Sequence, residues 1–422
     1  MKQSATLAAQ LAEAARIVTR VAAGKSLSDE IGRLSDLDSR SALIDLTHGT
    51  LRRYGRVQAI VASLSRRGRP DAVVEALLWC ALYALESARY GEHTVVDEAV
   101  KACGLIERWP AKGYVNALLR GFLRQRSALQ AQLANEPQAL YQHPDWWIDL
   151  VRAAYPSTWQ AALAAGNAHP PMALRVNRRR IAVDQYEARL AQQGIAARKC
   201  GAEGLLLERP LPIERLSGFA AGEVSVQDAG AQRAAHCLDL QAGQRVLDAC
   251  AAPGGKSAHI LELADVALTA LDIDATRAAR IAPNLERLGL GARVQVADAS
   301  RPEQWWDGRP FHRILADVPC SASGIARRHP DAKWLRRASD LAAFAERQRA
   351  ILAALWRLLA PDGKLLYATC SIFPQENDAV VDAFVQAEPR AQRLALADGE
   401  PAQWLPDAEH DGFYYALIAK RA

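Results

Sequence analysis

The chain has 422 residues, of which 50% are hydrophobic and 23% charged, with seven cysteines and a formal net charge of +5. That length is too great for one ordinary core and implies two or three domains, and the composition is that of a globular chain rather than a disordered or fibrous one. No apolar run reaches the ~18–20 residues of a membrane span, and the cysteines form neither a CxxC pair nor a zinc spacing, which argues against a disulfide framework or a structural metal.

The N-terminus, "MKQSATLAAQLAEAARIVTRVAAG", is interrupted by Gln, Glu and Arg. It reads as an amphipathic helix rather than a secretory signal, so a cytoplasmic protein with reduced thiols is expected. Residues 1–140 read as an all-helical bundle. In "DAVVEALLWCALYALE", Val73, Val74, Leu77, Leu78, Ala81, Leu82 and Leu85 share one helical face, with Pro70 and Asp71 as the start signal. In "KGYVNALLRGFLRQR", Val115, Leu118, Leu119, Phe122 and Leu123 do the same. The first 140 residues hold 19 Lys/Arg against 14 Asp/Glu, whereas the remainder holds 33 of each. The whole basic surplus therefore lies in the first third, with clusters at "LRRYGR" (Leu51–Arg56) and "SRRGR" (Ser65–Arg69). A solvated basic face is the usual meaning of such runs; phosphate contact is the sharper one.

Residues 141–224 mix Pro-punctuated connectors with two short strands, "ALRVN" (Ala173–Asn177) and "GLLLE", around a helix "VDQYEARLAQQG" ended by Gly194. A small α+β module is expected here. Residues 225–422 alternate strand and helix. The apolar runs "RVLDAC", "VALTALDI", "RVQVAD", "RILADVP" and "KLLYATC" have strand length, and helical segments such as "ATRAARIAPNLERLG" separate most of them. Continuous apolar strands belong to a sheet covered on both faces, an α/β doubly wound domain. Such a sheet takes its ligand outside the carboxyl ends of its strands.

Those ends carry a particular set of residues. The first strand ends at Asp248 and Cys250 and runs into "AAPGGKS" (Ala251–Ser257), a small-residue turn that lets backbone approach a ligand at a helix N-terminus. The second ends at Asp272, a place for a carboxylate to take ribose hydroxyls, and the third at Asp298. The fourth ends in "ADVPCSASG", with Asp317 and Cys320, and the next in "YATCSIFPQEN", with Cys370. Each alone has an ordinary reading: an Asp can cap the next helix, and a cysteine can be packing. Four acidic positions and the two cysteines Cys320 and Cys370 at one sheet edge point to an active site.

The stretches "LDACAAPGGKS", "DVPCSASG" and "YATCSIFPQEN" resemble motifs I, IV and VI of the RNA 5-methylcytosine methyltransferases, the Nol1/Nop2/Sun class. The similarity continues through "EVSVQDAGAQ", "ALRVN" and "DGFYYALIAK", and the helical first third is similar to the NusB RNA-binding domain. The resemblance implies a Rossmann-like, class I S-adenosylmethionine-dependent methyltransferase domain. It also implies that the whole chain is built like the bacterial enzymes that methylate 16S ribosomal RNA. It places Cys250, Ala251, Ala252, Pro253, Gly254, Gly255 and Lys256 around S-adenosylmethionine. Asp272 would lie on the ribose, Asp298 on the adenine side, and Asp317 between cofactor and target base. It makes Cys370 the nucleophile and Cys320 the residue that lets the product go. Val318 stands where the class usually has alanine and Ser257 where it usually has threonine; neither change removes a needed chemical group.

Cytosine carbon 5 is a poor nucleophile. A thiolate adding to carbon 6 makes it an enamine carbon, and elimination restores the ring after methylation. In this scheme Asp317 would stabilise charge at the ring nitrogen and Cys320 would assist proton removal. The base must be single-stranded or extruded. "IARRHPDAKWLRR" (Ile325–Arg337) and "RVNRRR" (Arg175–Arg180) are expected to contact RNA backbone. The expected partner is 16S ribosomal RNA, acted on by a monomer without metal or membrane. Competing readings are the same chemistry on transfer RNA, a non-catalytic NusB-like RNA-binding protein, and a nicotinamide dehydrogenase. The last lacks the G-x-G-x-x-G it would need after the first strand.

Overall fold

Helical spacing in the first third produces helices at Leu7–Ala22, Arg40–Arg52, Tyr54–Leu64, Ala72–Glu86, Glu92–Leu105 and Lys112–Leu133. The structure is a computed structural model that describes residues 6–34, 40–65, 68–396 and 399–421. Asp71 caps the helix Ala72–Glu86 by accepting from the Val73 N–H at 3.1 Å. This helix is buried well beyond the single face its leucines suggest: Val74 and every residue from Ala76 to Leu85 are inside. The reason is that five other helices pack around it. Each buried leucine contributes roughly 1.5–3 kcal/mol.

The chain divides into two compact units, and the helical one comprises residues up to Ala168 together with Ala326–Ala338. That late segment completes the helical unit from inside. Asp331 accepts from the Leu27 N–H at 2.9 Å. The fully buried Lys333 donates to the carbonyls of Arg52 and Gln142 and to Asn167 Oδ1, at 3.1, 2.9 and 2.8 Å. Trp334 donates to the Leu51 carbonyl and packs edge-on to Tyr54.

The second unit, His169–Ile325 with Ser339–Ala422, holds two sheets. The smaller has β1 (Met172–Val176), β2 (Ala197–Lys199), β3 (Gly204–Leu207) and β4 (Val224–Val226) in the antiparallel order β2-β3-β1-β4. The larger comprises β5 (Arg245–Ala249), β6 (Ala267–Asp272), β7 (Arg293–Val296), β8 (Phe311–Asp317), β9 (Leu359–Thr369), β10 (Ala391–Leu394), β11 (Gln403–Trp404) and β12 (Phe413–Lys420). Its order is β10-β12-β9-β8-β5-β6-β7, with β11 on β12. The five strands read from the sequence are its parallel part, and β12 with its neighbours adds an antiparallel edge.

Both faces are covered, as continuous apolar strands require. Val246, Leu268, Leu315 and Leu366 point to a cluster with the helices Ala229–Cys237, Gly255–Leu263 and Ile281–Leu288. Leu247, Leu271, Ile314 and Leu365 point to the opposite one, with Asp340–Trp356 and Asp378–Ala387. The order reverses at β5, which proceeds to β6 on one side while β8 lies on the other. The crevice at the carboxyl ends of β5 and β8 is therefore the switch point where a ligand is expected.

Candidate active site

β8 and β9 are parallel neighbours, with Asp317 opposite Ala368. The chain leaves each strand within three residues of a cysteine, so register alone brings the two thiols together. Cys320 Sγ and Cys370 Sγ stand 3.3 Å apart, both half-buried. The hydrogen bond to Cys370, together with burial, pushes the Cys320 thiol well above its ordinary range. The raised thiol favours the protonated form of Cys320, and either sulfur can donate in the S–H···S contact.

The two loops are fastened by buried polar groups. Glu376 accepts from the Ser321 N–H at 2.8 Å, from Ser321 Oγ at 2.5 Å, from Ser371 Oγ at 2.6 Å and from Gln348 Nε2 at 3.1 Å. Asn377 donates to the Ser371 carbonyl at 2.9 Å and accepts from Thr369 Oγ1 at 2.6 Å. Ser323 Oγ accepts from the Ile372 N–H, and the Gly324 N–H donates to the Cys370 carbonyl. Gly324 is pressed against Gly412, where an added Cβ would come within 2.3 Å of the Gly412 oxygen, so no larger residue fits. No motif in the sequence assigns a role to Glu376, Asn377 or Gln348; the only signal of the first two is that the apolar run ending at Cys370 gives way to the polar residues of "SIFPQEN".

The turn after β5 has the backbone its small residues suggest. Cys250 takes φ +63° and Gly254 φ +95°, and a Cβ on Gly254 would meet Ile281 at 3.1 Å. Ala251 and Ala252 are buried at the start of this turn, and Gly255 opens the helix Gly255–Leu263. Burial pushes the Cys250 thiol up to about 12, with nearby Asp317, Asp272 and Asp248 adding to it. Lys256 donates to Asp317 Oδ2 at 2.6 Å; burial opposes its charge, and Asp317 more than compensates. Asp248 is fully buried, accepts from Ser257 Oγ at 2.5 Å, and is pushed up to about 7, mainly by burial. Asp272 accepts from the Ala252 and Asp274 N–H groups at 3.1 and 3.0 Å, which ties the end of β6 to the turn. Asp298 accepts from Ser300 through both N–H and Oγ; burial opposes its charge, but Ser300 keeps the carboxyl low.

Cys250–Lys256, Asp272, Asp298, Asp317, Cys320 and Cys370 therefore lie on the turn or at the carboxyl ends of consecutive strands of one sheet. Their donor set fits S-adenosylmethionine: carboxylates for ribose hydroxyls and for cationic groups, and a turn with two positive-φ residues for close backbone approach.

The basic runs are different. Arg175 is sealed inside, making two 2.8 Å bonds to Glu262 and a third to the Gly255 carbonyl at 2.9 Å. Arg178 and Arg179 pair with Glu203 and Asp265, and Arg180 donates to the Leu288 carbonyl. In the second run Lys333 and Arg327 are buried. The expectation of RNA contact fails for Arg175, Arg327 and Lys333, because each is buried in the protein's own interior. In "LRRYGR", Arg52 is buried on the Arg327 carbonyl, and Arg53 and Arg56 pair with Glu86. Arg66 and Arg67 of "SRRGR" lie outside the described residues. Among the described residues, no helix is long and apolar enough to cross a membrane.

A doubly wound sheet with a small-residue turn at its switch point, and carboxylates and thiols on the neighbouring strand ends, is the plan of an S-adenosylmethionine-dependent methyltransferase. Comparison with known proteins agrees. The 16S rRNA methyltransferase RsmB/F family model matches residues 235–419, the RsmF/B-like ferredoxin-like domain residues 143–214, and the NusB family residues 8–124. The "Ribosomal RNA small subunit methyltransferase B" of Pseudomonas syringae is 42% identical over 99% of this chain and 97% of its own length. That of Vibrio cholerae is 44% identical over 90% of this chain and 89% of its own. Among solved structures, the protein PH0851 superposes with a TM-score of 0.78 at 22% identity, covering 97% of this chain and 99% of its own. A methyltransferase homolog protein from Pyrococcus horikoshii gives 0.59 at 26% identity, covering 67% of this chain and 97% of its own. The chain belongs to the RsmB/F family of 16S rRNA methyltransferases, with a NusB domain, a ferredoxin-like module and a methyltransferase domain in that order.

Proposed function

We propose that this enzyme transfers the methyl group of S-adenosylmethionine to carbon 5 of a cytosine in 16S ribosomal RNA through a covalent bond between Cys370 and the base. The observation that supports it best is the pair of sulfurs 3.3 Å apart at adjacent strand ends, with Asp317 closing the preceding strand. When bound, S-adenosylmethionine supplies an electrophilic methyl. The Cys370 sulfur, as thiolate, adds to carbon 6, and the electrons of the 5,6 double bond become available at carbon 5. Carbon 5 takes the methyl. A base then removes the carbon 5 proton, the electron pair of that bond re-forms the double bond, and the carbon 6–sulfur bond breaks. Cys320, the proton-bearing partner, donates to the departing Cys370 sulfur. That assigns it to release of sulfur rather than to removal of the carbon 5 proton.

In this reading residues 250–256 hold the cofactor with Asp272 and Asp298, and Asp317 is shared between cofactor and base. Residues 1–140, the NusB-like part, and the module at 141–224 capture RNA for the methyltransferase part at 225–422, in a monomer acting in the cytoplasm. The test uses the full chain with 16S RNA. Cys370→Ala abolishes methyl transfer, whereas Cys320→Ala accumulates an RNA–protein adduct that survives a denaturing gel. An adduct with Cys370→Ala instead would exchange the roles, and unchanged methylation in both variants would refute the mechanism. Bisulfite sequencing of cellular RNA with and without the enzyme decides the substrate, and a mark lost from transfer RNA alone would remove the ribosomal assignment.

A further inference from the structure

Away from the two thiols, Glu203, His236 and His259 gather their ligand atoms within 4.8 Å of one another. Glu203 directly precedes β3 in the small sheet, His236 lies near the end of the helix Ala229–Cys237, and His259 lies on the helix Gly255–Leu263 that begins at the cofactor turn. Glu203 Oε2 is 2.8 Å from His236 Nε2 and 3.8 Å from His259 Nε2. The two imidazoles stand edge to face with centroids 5.2 Å apart.

His259 is the informative member. It is 1% exposed, yet among the described residues neither ring nitrogen has a hydrogen-bond partner. A buried polar side chain left in that condition calls for an explanation such as an ion. The 3.8 Å to Glu203 is too long for a hydrogen bond but close to the spacing of two ligands on one ion. Bonds of about 2.0–2.2 Å in a tetrahedral site put ligand atoms about 3.4 Å apart. His236 is 41% exposed on its side chain, so an ion has an entry path, and Glu203 and His236 line a cavity of about 560 Å³. The backbone of Glu203 is fixed by its carbonyl, which accepts from the Val176 N–H at 2.8 Å, and its second oxygen meets Arg178 at 3.3 Å.

We propose that Glu203, His236 and His259 form a zinc site, two imidazoles and one carboxylate, that fastens the ferredoxin-like sheet to the helix carrying the cofactor turn. Two nitrogens and one oxygen suit zinc, with a water completing the four. The three residues are 33 and 23 positions apart along the chain, one beside a strand and two on separate helices, which is why no zinc spacing shows in the sequence. The site is a clasp rather than a reaction centre, and it acts on the methyltransferase through the helix that starts at Gly255.

The test uses the full chain purified without a histidine tag and stripped with a chelator. Cys320→Ser and Cys370→Ser are combined as background, so that the paired thiols cannot capture the ion. Zinc titrated against a chromophoric competitor is expected to bind with one equivalent per chain and to raise the melting temperature. His236→Ala, an exposed change that leaves the core intact, weakens binding by at least about tenfold, and Glu203→Gln does likewise. Cobalt in place of zinc gives visible ligand-field bands without an intense sulfur-to-metal band in the near ultraviolet. Absence of stoichiometric binding overturns the proposal. So does binding that His236→Ala and Glu203→Gln leave unchanged, or a sulfur-to-cobalt band, which would put the ion on the other cysteines.

Discussion

Three carboxylates lie on or against one short helix, Gly255–Leu263, and each is held differently. Glu262 near its end is sealed with Arg175 in a two-pronged pair, and the side chains are 1% and 0% exposed. Asp317 at its start meets Lys256 through a single 2.6 Å bond, with side chains 29% and 15% exposed. Asp248, between them in the core, has a serine and, among the described residues, no cation in hydrogen-bond reach. A pair that satisfies most of its valences and excludes water is architecture. A pair that meets through one oxygen and stays partly wet keeps valences for a ligand. The same residue types, a dozen ångströms or less of helix apart by the ~1.5 Å rise per residue, thus divide into scaffold and site.

The largest effect is expected at the sealed end. Arg175→Ala leaves Glu262 buried without its cation and strips the Gly255 carbonyl of a donor, which costs about 3–5 kcal/mol. Urea unfolding monitored by circular dichroism measures it. A loss of under about 1 kcal/mol, the value of an exposed pair, would erase the distinction between the two ends.

Asp248 separates burial from pairing. Burial raises its folded pKa to about 7 from an ordinary 3.8. Between those values the folded chain holds a proton that the unfolded chain has released. Its contribution is fully present below about pH 4 and is lost as pH rises through about 7, at up to roughly 1.4 kcal/mol per pH unit. Asp248→Asn keeps the shape and removes the titration. The difference in stability between the parent and this variant should therefore change across that window and be flat above it. A difference independent of pH would mean that Asp248 is ionised in the folded chain.

Glu376 extends the comparison to the thiol loops. Its carboxylate serves four donors with no cation among them. Glu376→Gln turns one acceptor into a donor facing donors and costs about 1–3 kcal/mol. It should also reduce methyl transfer while leaving cofactor affinity unchanged, because it loosens the Cys320 and Cys370 loops and not the Cys250–Lys256 turn. Equilibrium binding of S-adenosylmethionine beside single-turnover rates tests that split.

Much of this arrangement was legible in the sequence, because strand ends are set by runs of apolar residues that can be read one at a time. Cys320 and Cys370 follow directly from two such ends and from the parallel register between them. The antiparallel strand Phe413–Lys420, which lies between β10 and β9, is not among the strands announced by the apolar runs, although its residues carry part of the resemblance. Charged runs misled because a run specifies where charge is abundant, not where it points. Arg175 and Lys333 are buried by partners 87 and up to 281 residues away, at Glu262 and Arg52, and no local pattern encodes a partner at that distance. The same holds for Glu203 with His236 and His259.

The smallest effect is expected at the open end of the helix, and it is the one that assigns function there. Lys256→Met keeps the aliphatic stem and removes the charge. Asp317 is 29% exposed on its side chain, so water can replace the lost donor, and little stability should go with it, within about 1 kcal/mol. If Lys256 holds Asp317 in place for the cofactor and the target base, affinity for S-adenosylmethionine should fall about tenfold, equivalent to about 1.4 kcal/mol. Lys256→Arg, which keeps the charge with a wider head, should recover part of that loss. A Lys256→Met chain that binds the cofactor normally but unfolds as readily as Arg175→Ala would place the open pair with the scaffold. It would leave the cofactor turn to be held by its backbone and by Asp272 alone.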